Sequence, residues 1–194
     1  MSTKVSFVSR ARILASSLVA ATLLTTAGAA SAVPVLGAQL FWAGGDVQIT
    51  VQPATAGYTS ELNLYSADPD IFLALNSSFG TVVTLTAAII DANHNVGDEL
   101  VFGIFVRNTG DIFLMGAGSR NADGLVHAGV DNLGGGVLRV GFEDLFGGGD
   151  RDYDDNVFDF RGGVTSRVPE PGTLALAGLA LVGLGAARRA RRQD

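Results

Sequence analysis

The sequence has no cysteine, a single lysine (Lys4), two histidines and only five prolines. Each shortage removes a class of protein. Without cysteine there is no disulfide framework, so any cross-links the fold needs must come from elsewhere. Thiolate zinc and copper sites are gone as well, and two histidines are too few to replace them. No serine or cysteine nucleophile has a plausible histidine partner. Between residues 33 and 167, six arginines and no lysine face seventeen Asp and Glu, a net charge of −11 where the whole chain shows −6. Such a domain cannot neutralise phosphates, which excludes nucleic acid and makes an anionic membrane surface an unsuitable partner. Divalent cations are the natural counter-charge.

What is present begins with the two ends. Lys4, Arg10 and Arg12 precede the apolar stretch ILASSLVAATLLTTAGAASA, which ends in small residues. Ala30 and Ala32 fit the A-x-A rule for signal-peptide cleavage, so residues 1–32 read as a signal peptide and Val33 as the mature start. An uncleaved membrane anchor is the alternative. At the other end stand a rigid Pro169-Glu170-Pro171 hinge, an uncharged stretch from Thr173 to Ala187, and the basic group Arg188, Arg189, Arg191 and Arg192. The fifteen apolar positions span roughly 22 Å as a helix, short of the roughly 30 Å hydrocarbon core. That suits a temporary hold in the inner membrane, with the arginines on the cytoplasmic side. The three parts closely resemble the PEP-CTERM sorting signal of Gram-negative bacteria that make extracellular polysaccharide: motif 168–172, transmembrane helix 173–187, basic tail 188–194. The resemblance implies an exosortase as processing partner, removal of the tail, and a destination in the cell envelope or outside it.

Residues 33–167 have the length of one domain, able to bury its own core. No segment there sustains a 3.6-residue apolar period, and no internal repeat is evident. Short alternating runs recur between glycine, asparagine and aspartate turns. DVQITVQP puts Val47, Ile49 and Val51 on one face, and SELNLY does so with Leu62 and Leu64. IFLAL and TVVTLTAAII are apolar enough for strands buried on both sides, although the first also admits a short helix. Leu100–Val106 and Asp111–Met115 read as a hairpin turning through Asn108-Thr109-Gly110, with Phe102, Ile104 and Val106 in the core. VLRVGF and NVFDF supply two more strands, the first with Val137, Arg139 and Gly141 on one face and Leu138, Val140 and Phe142 on the other, the second with Phe158 and Phe160 alternating. About eight strands at roughly ten-residue spacing predict an all-β fold, an antiparallel β-sandwich or jelly-roll-like single domain.

The stretch FEDLFGGGDRDYDDNVFDF, residues 142–160, holds seven carboxylates and one arginine. Asp150, Asp152 and Asp154 alternate directly after a triple glycine, and Glu143 and Asp144 stand at the end of the preceding strand. A hard cation such as Ca²⁺ takes six to eight oxygens at about 2.3–2.6 Å, which a tight loop of alternating carboxylates and carbonyls can supply. The alternation is that of an EF-hand loop, but the glycine at its sixth position, its distal glutamate and its helices are missing. Mg²⁺ prefers fewer protein carboxylates. A solvated acidic loop is the plainer reading. The interleaved aromatics, the glycine bend and the convergence of two segments favour the ion.

The same stretch resembles the signature of the DUF4114 family, found in bacterial secreted proteins: F-E-D-L, a glycine-rich turn, D-x-D-Y-N-D and a hydrophobic strand. SELNLY, GDELVFGIFV and DGLVHAGV are compatible, so the likeness covers about residues 45–161. It puts Glu143, Asp144, Asp150, Asp152 and Asp155 on the family's acidic positions, with Asp154 in place of an asparagine. It implies a β-rich, calcium-associated domain and no particular reaction.

Other residues carry less. Asp91–Glu99 reads as a polar turn rather than a second ion loop, and His127 as a surface or packing histidine. Trp42 is a core residue before it is a sugar platform, and Asn76-Ser77-Ser78 has uninformative glycosylation spacing. The expected function is a non-catalytic envelope or extracellular-matrix protein, stabilised by Ca²⁺ and associated with exopolysaccharide or biofilm. The alternatives are a glycan-binding adhesin module and a polysaccharide hydrolase using two of the acids.

Overall fold

The computed structural model describes residues 34–167. The expected signal peptide with Ala30 and Ala32, the Pro169-Glu170-Pro171 motif and the apolar and basic segments after it lie outside the described residues. Among the described residues no helix is long and apolar enough to cross a membrane.

Eleven strands and one short helix are described: β1 Val35–Leu36, β2 Gln39–Val51, β3 Ser60–Leu64, β4 Ile71–Leu75, β5 Val82–Leu85, α1 Ala87–Asp91, β6 Glu99–Leu100, β7 Phe102–Val106, β8 Ile112–Leu114, β9 Ala128–Gly134, β10 Val137–Phe142 and β11 Asn156–Arg167. They form two antiparallel sheets. The larger runs β1-β9-β10-β11-β2-β5, with β6 also on β2, and the smaller runs β4-β3-β7-β8. Neither closes into a barrel.

Alternation explains what lies between them. Val47, Ile49 and Val51 of β2, Leu138, Val140 and Phe142 of β10, and Phe158 and Phe160 of β11 bury one face of the larger sheet. Leu62, Leu64, Phe102, Ile104 and Val106 answer from the smaller sheet, and all belong to one apolar cluster. Phe102 and Phe160 meet edge-to-face at 4.8 Å, one ring from each sheet. Trp42 is buried in the same cluster and donates its indole N–H to the carbonyl of Gly45 at 2.9 Å.

Several elements differ from the sequence reading. TVVTLTAAII does not continue as a strand: β5 ends at Leu85 and the chain turns into α1. The reason lies far off in sequence, since the Asp46 carboxylate accepts the N–H of Ala87 at 2.7 Å and caps that first turn. IFLAL is a strand, but at the edge of the smaller sheet, so Phe72 on its outer face stays half exposed. The hairpin arm starts at Phe102, because Leu100 belongs to β6 and pairs with Leu40 in the other sheet. β9 and the first half of β2 were not anticipated. The AGVDNLG of β9 has no apolar alternation and becomes a strand through its pairing with β10.

Candidate metal centre

β10 and β11 are neighbours joined by residues 143–155, which hold all six sequence-nominated ligands. Phe142 and Phe158, on the strands flanking that loop, are fully buried with ring centroids 6.3 Å apart. The loop therefore springs from a fixed base at one end of the larger sheet.

His127 holds the start of the loop. It is fully buried and stacks on Phe113 at 3.9 Å. Its Nδ1 faces the carbonyl oxygen of Glu143 at 3.1 Å and its Nε2 the Asp123 carboxylate at 2.8 Å, while Glu143 donates its own N–H to the carbonyl of His127. Asp123 also accepts the N–H groups of Leu125 and Gly147, at 3.0 and 2.9 Å. Burial works to raise its carboxyl, but these hydrogen bonds and the imidazole outweigh it and hold the group at about 2. Asp123 and His127 thus brace the glycine turn against the core.

Glu143 is the unusual member. Its side chain is fully buried, Oε1 accepts the N–H of Tyr153 at 2.7 Å, and Oε2 has no hydrogen-bond partner among the described residues. Burial pushes its carboxyl up, the backbone N–H groups of Tyr153 and Arg151 oppose that, and the charges of Asp155 and Asp150 add to the rise. Gly149 leaves room for it: a Cβ there would overlap Glu143 Oε2. Carboxylate oxygens of Glu143, Asp150 and Asp152 lie within 4.8 Å of one another, the first buried and the other two exposed. Between and after the aspartates, Arg151 and Tyr153 take φ of 65° and 59°. Side-chain-bearing residues adopt that left-handed region at a cost of roughly 1 kcal/mol or more each. Asp152 is raised by desolvation and its acidic neighbours, against a hydrogen bond from the N–H of Asp154 at 3.2 Å.

The remaining three nominated residues turn elsewhere. Asp154 accepts the hydroxyl of Thr55 at 2.5 Å. Asp144, nearly inaccessible, faces Asp155, whose carboxylate accepts the N–H of Asp144 at 3.2 Å. Burial first, and then the Asp155 charge, push Asp144 up to about 6. Behind this pair runs a buried amide chain: Asn156 donates towards Asp144 at 3.4 Å, and Asn76 donates to Asn156 at 2.8 Å and to the carbonyl of Tyr58. Asn76 also accepts the N–H of Ser60. The chain ties the smaller sheet to the acidic loop, which is why the Asn76 side chain is buried.

Of the two readings of His127, surface or packing, the structure shows packing, with the ring also holding the start of the loop. Sequence reasoning missed the roles of Asp123, Asn76 and Asn156. Their only signal was polar residues inside apolar runs, a weak one. The loop is a trio of converging carboxylates beside a carboxyl pair, built on one end of a two-sheet β domain. At the opposite end of β11, Arg167 pairs with Gln39 and lies over the ring of Phe41 at 4.1 Å.

From that residue on, the chain matches a known motif: the PEP-CTERM protein-sorting motif covers residues 167–192. The protein therefore carries a signal recognised by exosortase, and it is an exported protein sorted to the cell envelope or the extracellular space. No curated protein and no solved structure matches the chain.

Proposed function

We propose that residues 33–167 form a non-catalytic domain of the cell envelope or extracellular matrix, held rigid by a Ca²⁺ ion at Glu143, Asp150 and Asp152. One observation carries this: a fully buried glutamate whose Oε2 has no hydrogen-bond partner among the described residues, turned to a glycine that leaves it space. A buried unpartnered carboxylate is costly unless an ion completes it. The donor set is all oxygen and carries three negative charges, which suits Ca²⁺ better than Mg²⁺ or a softer metal. The likeness of residues 142–160 to DUF4114 points the same way. The ion would neutralise the loop and take over the cross-linking that cysteine does not provide here.

A hydrolase fits less well. Glycosidase carboxyl pairs stand about 5–9.5 Å apart with a tuned acid beside a free base, whereas these oxygens crowd within 4.8 Å. The tail, on this reading, holds the protein at the inner membrane until exosortase removes it, and the domain then joins extracellular polysaccharide. Mass spectrometry of the mature protein reads both termini and tests the removal.

Thermal melting of the full chain with calcium and with chelator tests the ion. At a calcium concentration 100 times Kd, stability rises by about 2.7 kcal/mol, a midpoint increase on the order of 10 °C for a domain of this size. Identical midpoints in the two conditions would sink the proposal.

A further inference from the structure

The acidic loop folds back over the outer face of the larger sheet. Gly129 of β9 and Gly141 of β10 are register partners and leave a bare strip there. A Cβ on Gly141 would overlap the carbonyl oxygen of Tyr153, and one on Gly129 would lie 2.9 Å from Cβ of Pro34. Between this cover and the sheet is a cleft of about 320 Å³, at the small end of the roughly 300–1,000 Å³ range of ligand sites.

Two of its lining residues, Asp131 and Arg139, belong to a row of charges across three strands. Asp131, Arg139 and Asp159 are successive register partners on β9, β10 and β11. Asp159 grips Arg139 through Nε at 2.7 Å and Nη2 at 3.0 Å. The other terminal nitrogen of the guanidinium has no hydrogen bond to the described residues. On the far side, Oδ1 of Asp131 is buried without a partner. Pro34, Pro53 and Val157 give the cleft apolar walls, and Asp152 and Asp154 stand at its lip.

Charge selects the ligand class. Three lining aspartates surround one arginine, itself already paired to Asp159, so phosphate, sulfate and uronate are repelled. The arginine asks for an acceptor and the carboxylates for donors, on neighbouring atoms of a group small enough for the cleft. Apolar walls ask for a face without charge. Vicinal hydroxyls on a pyranose ring offer donor, acceptor and C–H face together. We infer that this cleft binds a neutral hexose unit of a saccharide chain, with Arg139 and Asp131 reading its hydroxyls. The inference rests on the ion reading at one point: Asp152 belongs both to the carboxylate trio and to the lip of the cleft, so calcium tightens saccharide binding.

The test is titration of the full chain by calorimetry or ligand-observed NMR with glucose, galactose, mannose and their disaccharides, and with glucuronate as the anionic counterpart. At least one neutral sugar binds with Kd of about 1–10 mM, a common strength for a small open site. Asp131→Ala and Arg139→Lys each weaken binding tenfold or more. The melting midpoint holds for Asp131→Ala, because Asp131 Oδ1 accepts no hydrogen bond among the described residues. It falls for Arg139→Lys, which loses the two-point grip on Asp159, so binding by that variant is read well below its own midpoint. No saturation by any neutral sugar up to about 50 mM, equal binding of glucuronate, or unchanged binding by both variants overturns the inference. Melting of the same samples separates the two readings. A calcium shift without sugar binding removes the cleft alone, and sugar binding without a calcium shift removes the ion alone.

Discussion

The apolar layer and the acidic pole of this domain are held together in opposite ways. Between the sheets, the large side chains of the core from Leu40 to Phe160 find apolar neighbours, and β10 with β11 and β3 with β7 pair on unbroken registers. At the pole, the backbone enters the left-handed region at two side-chain-bearing residues, and a carboxylate oxygen is buried with no hydrogen-bond partner among the described residues. The first region is complete as the protein folds. The second holds left-handed backbone and a buried carboxylate oxygen that the described residues leave unpaired, a cost the core does not carry. On the proposed reading, stability here has two sources, one independent of ions and one supplied by them.

That division can be broken, and the largest effect sits in the core. Phe158→Ala removes a fully buried ring and should cost about 3–5 kcal/mol. The cost should be the same with calcium and with chelator. A loss that calcium rescues would mean that the two regions are not separable.

Next in size is the calcium increment itself, and two substitutions sharpen it from opposite directions. Glu143→Gln removes the buried charge. In chelator the variant should gain about 1–3 kcal/mol, the usual relief when an unsatisfied buried group is neutralised, and its calcium response should vanish. Gly149→Ala should also lose the response, but through a Cβ forced against Glu143 at a positive φ of 46°, so its midpoint in chelator falls. If both variants moved the same way in chelator, the pole would be an ordinary loop, and denaturant melts in the two conditions decide it.

The core was legible in the sequence because period-2 alternation is a local signal. Val47, Ile49 and Val51, or Phe102, Ile104 and Val106, declare their buried face without reference to any partner. β9 was not legible, since Ala-Gly-Val-Asp-Asn-Leu-Gly alternates nothing and is a strand only beside β10. The turn into α1 depends on Asp46, forty-one residues away. At the pole, composition disclosed that carboxylates gather but not how they divide. Asp154 is drawn off by Thr55, ninety-nine positions distant, and Asp144 is turned towards Asp155 by the buried amides of Asn156 and Asn76. Which three acids converge is set by left-handed backbone at Arg151 and Tyr153, a property no pattern of side chains announces.

The smallest effect is the most direct reading of the acidic pole, because protons relieve the same crowding of carboxylates that the proposed cation would. A carboxyl whose folded value is raised binds more protons folded than unfolded between the two values, so stability falls as pH rises through that window. Asp144, raised to about 6, loses its contribution between about pH 4 and pH 6, and the raised Glu143 acts in the same direction. Asp123, held at about 2, has the opposite sign, but its stabilisation disappears only as pH falls from about 4 towards 2, outside that interval. In chelator, then, the domain should be more stable at pH 5 than at pH 7, by about 1–2 kcal/mol. Asp144→Asn should flatten the slope by removing the titrating carboxyl while keeping an amide or carbonyl towards Asn156. Calcium should remove only the part of the slope that Glu143 contributes, since the proposed ion sits at Glu143 and leaves the Asp144–Asp155 pair to titrate. Urea melts at the two pH values read all three cases, and a slope in chelator that is absent, reversed, or indifferent to Asp144→Asn would show that the acids at this pole are already at ease in water.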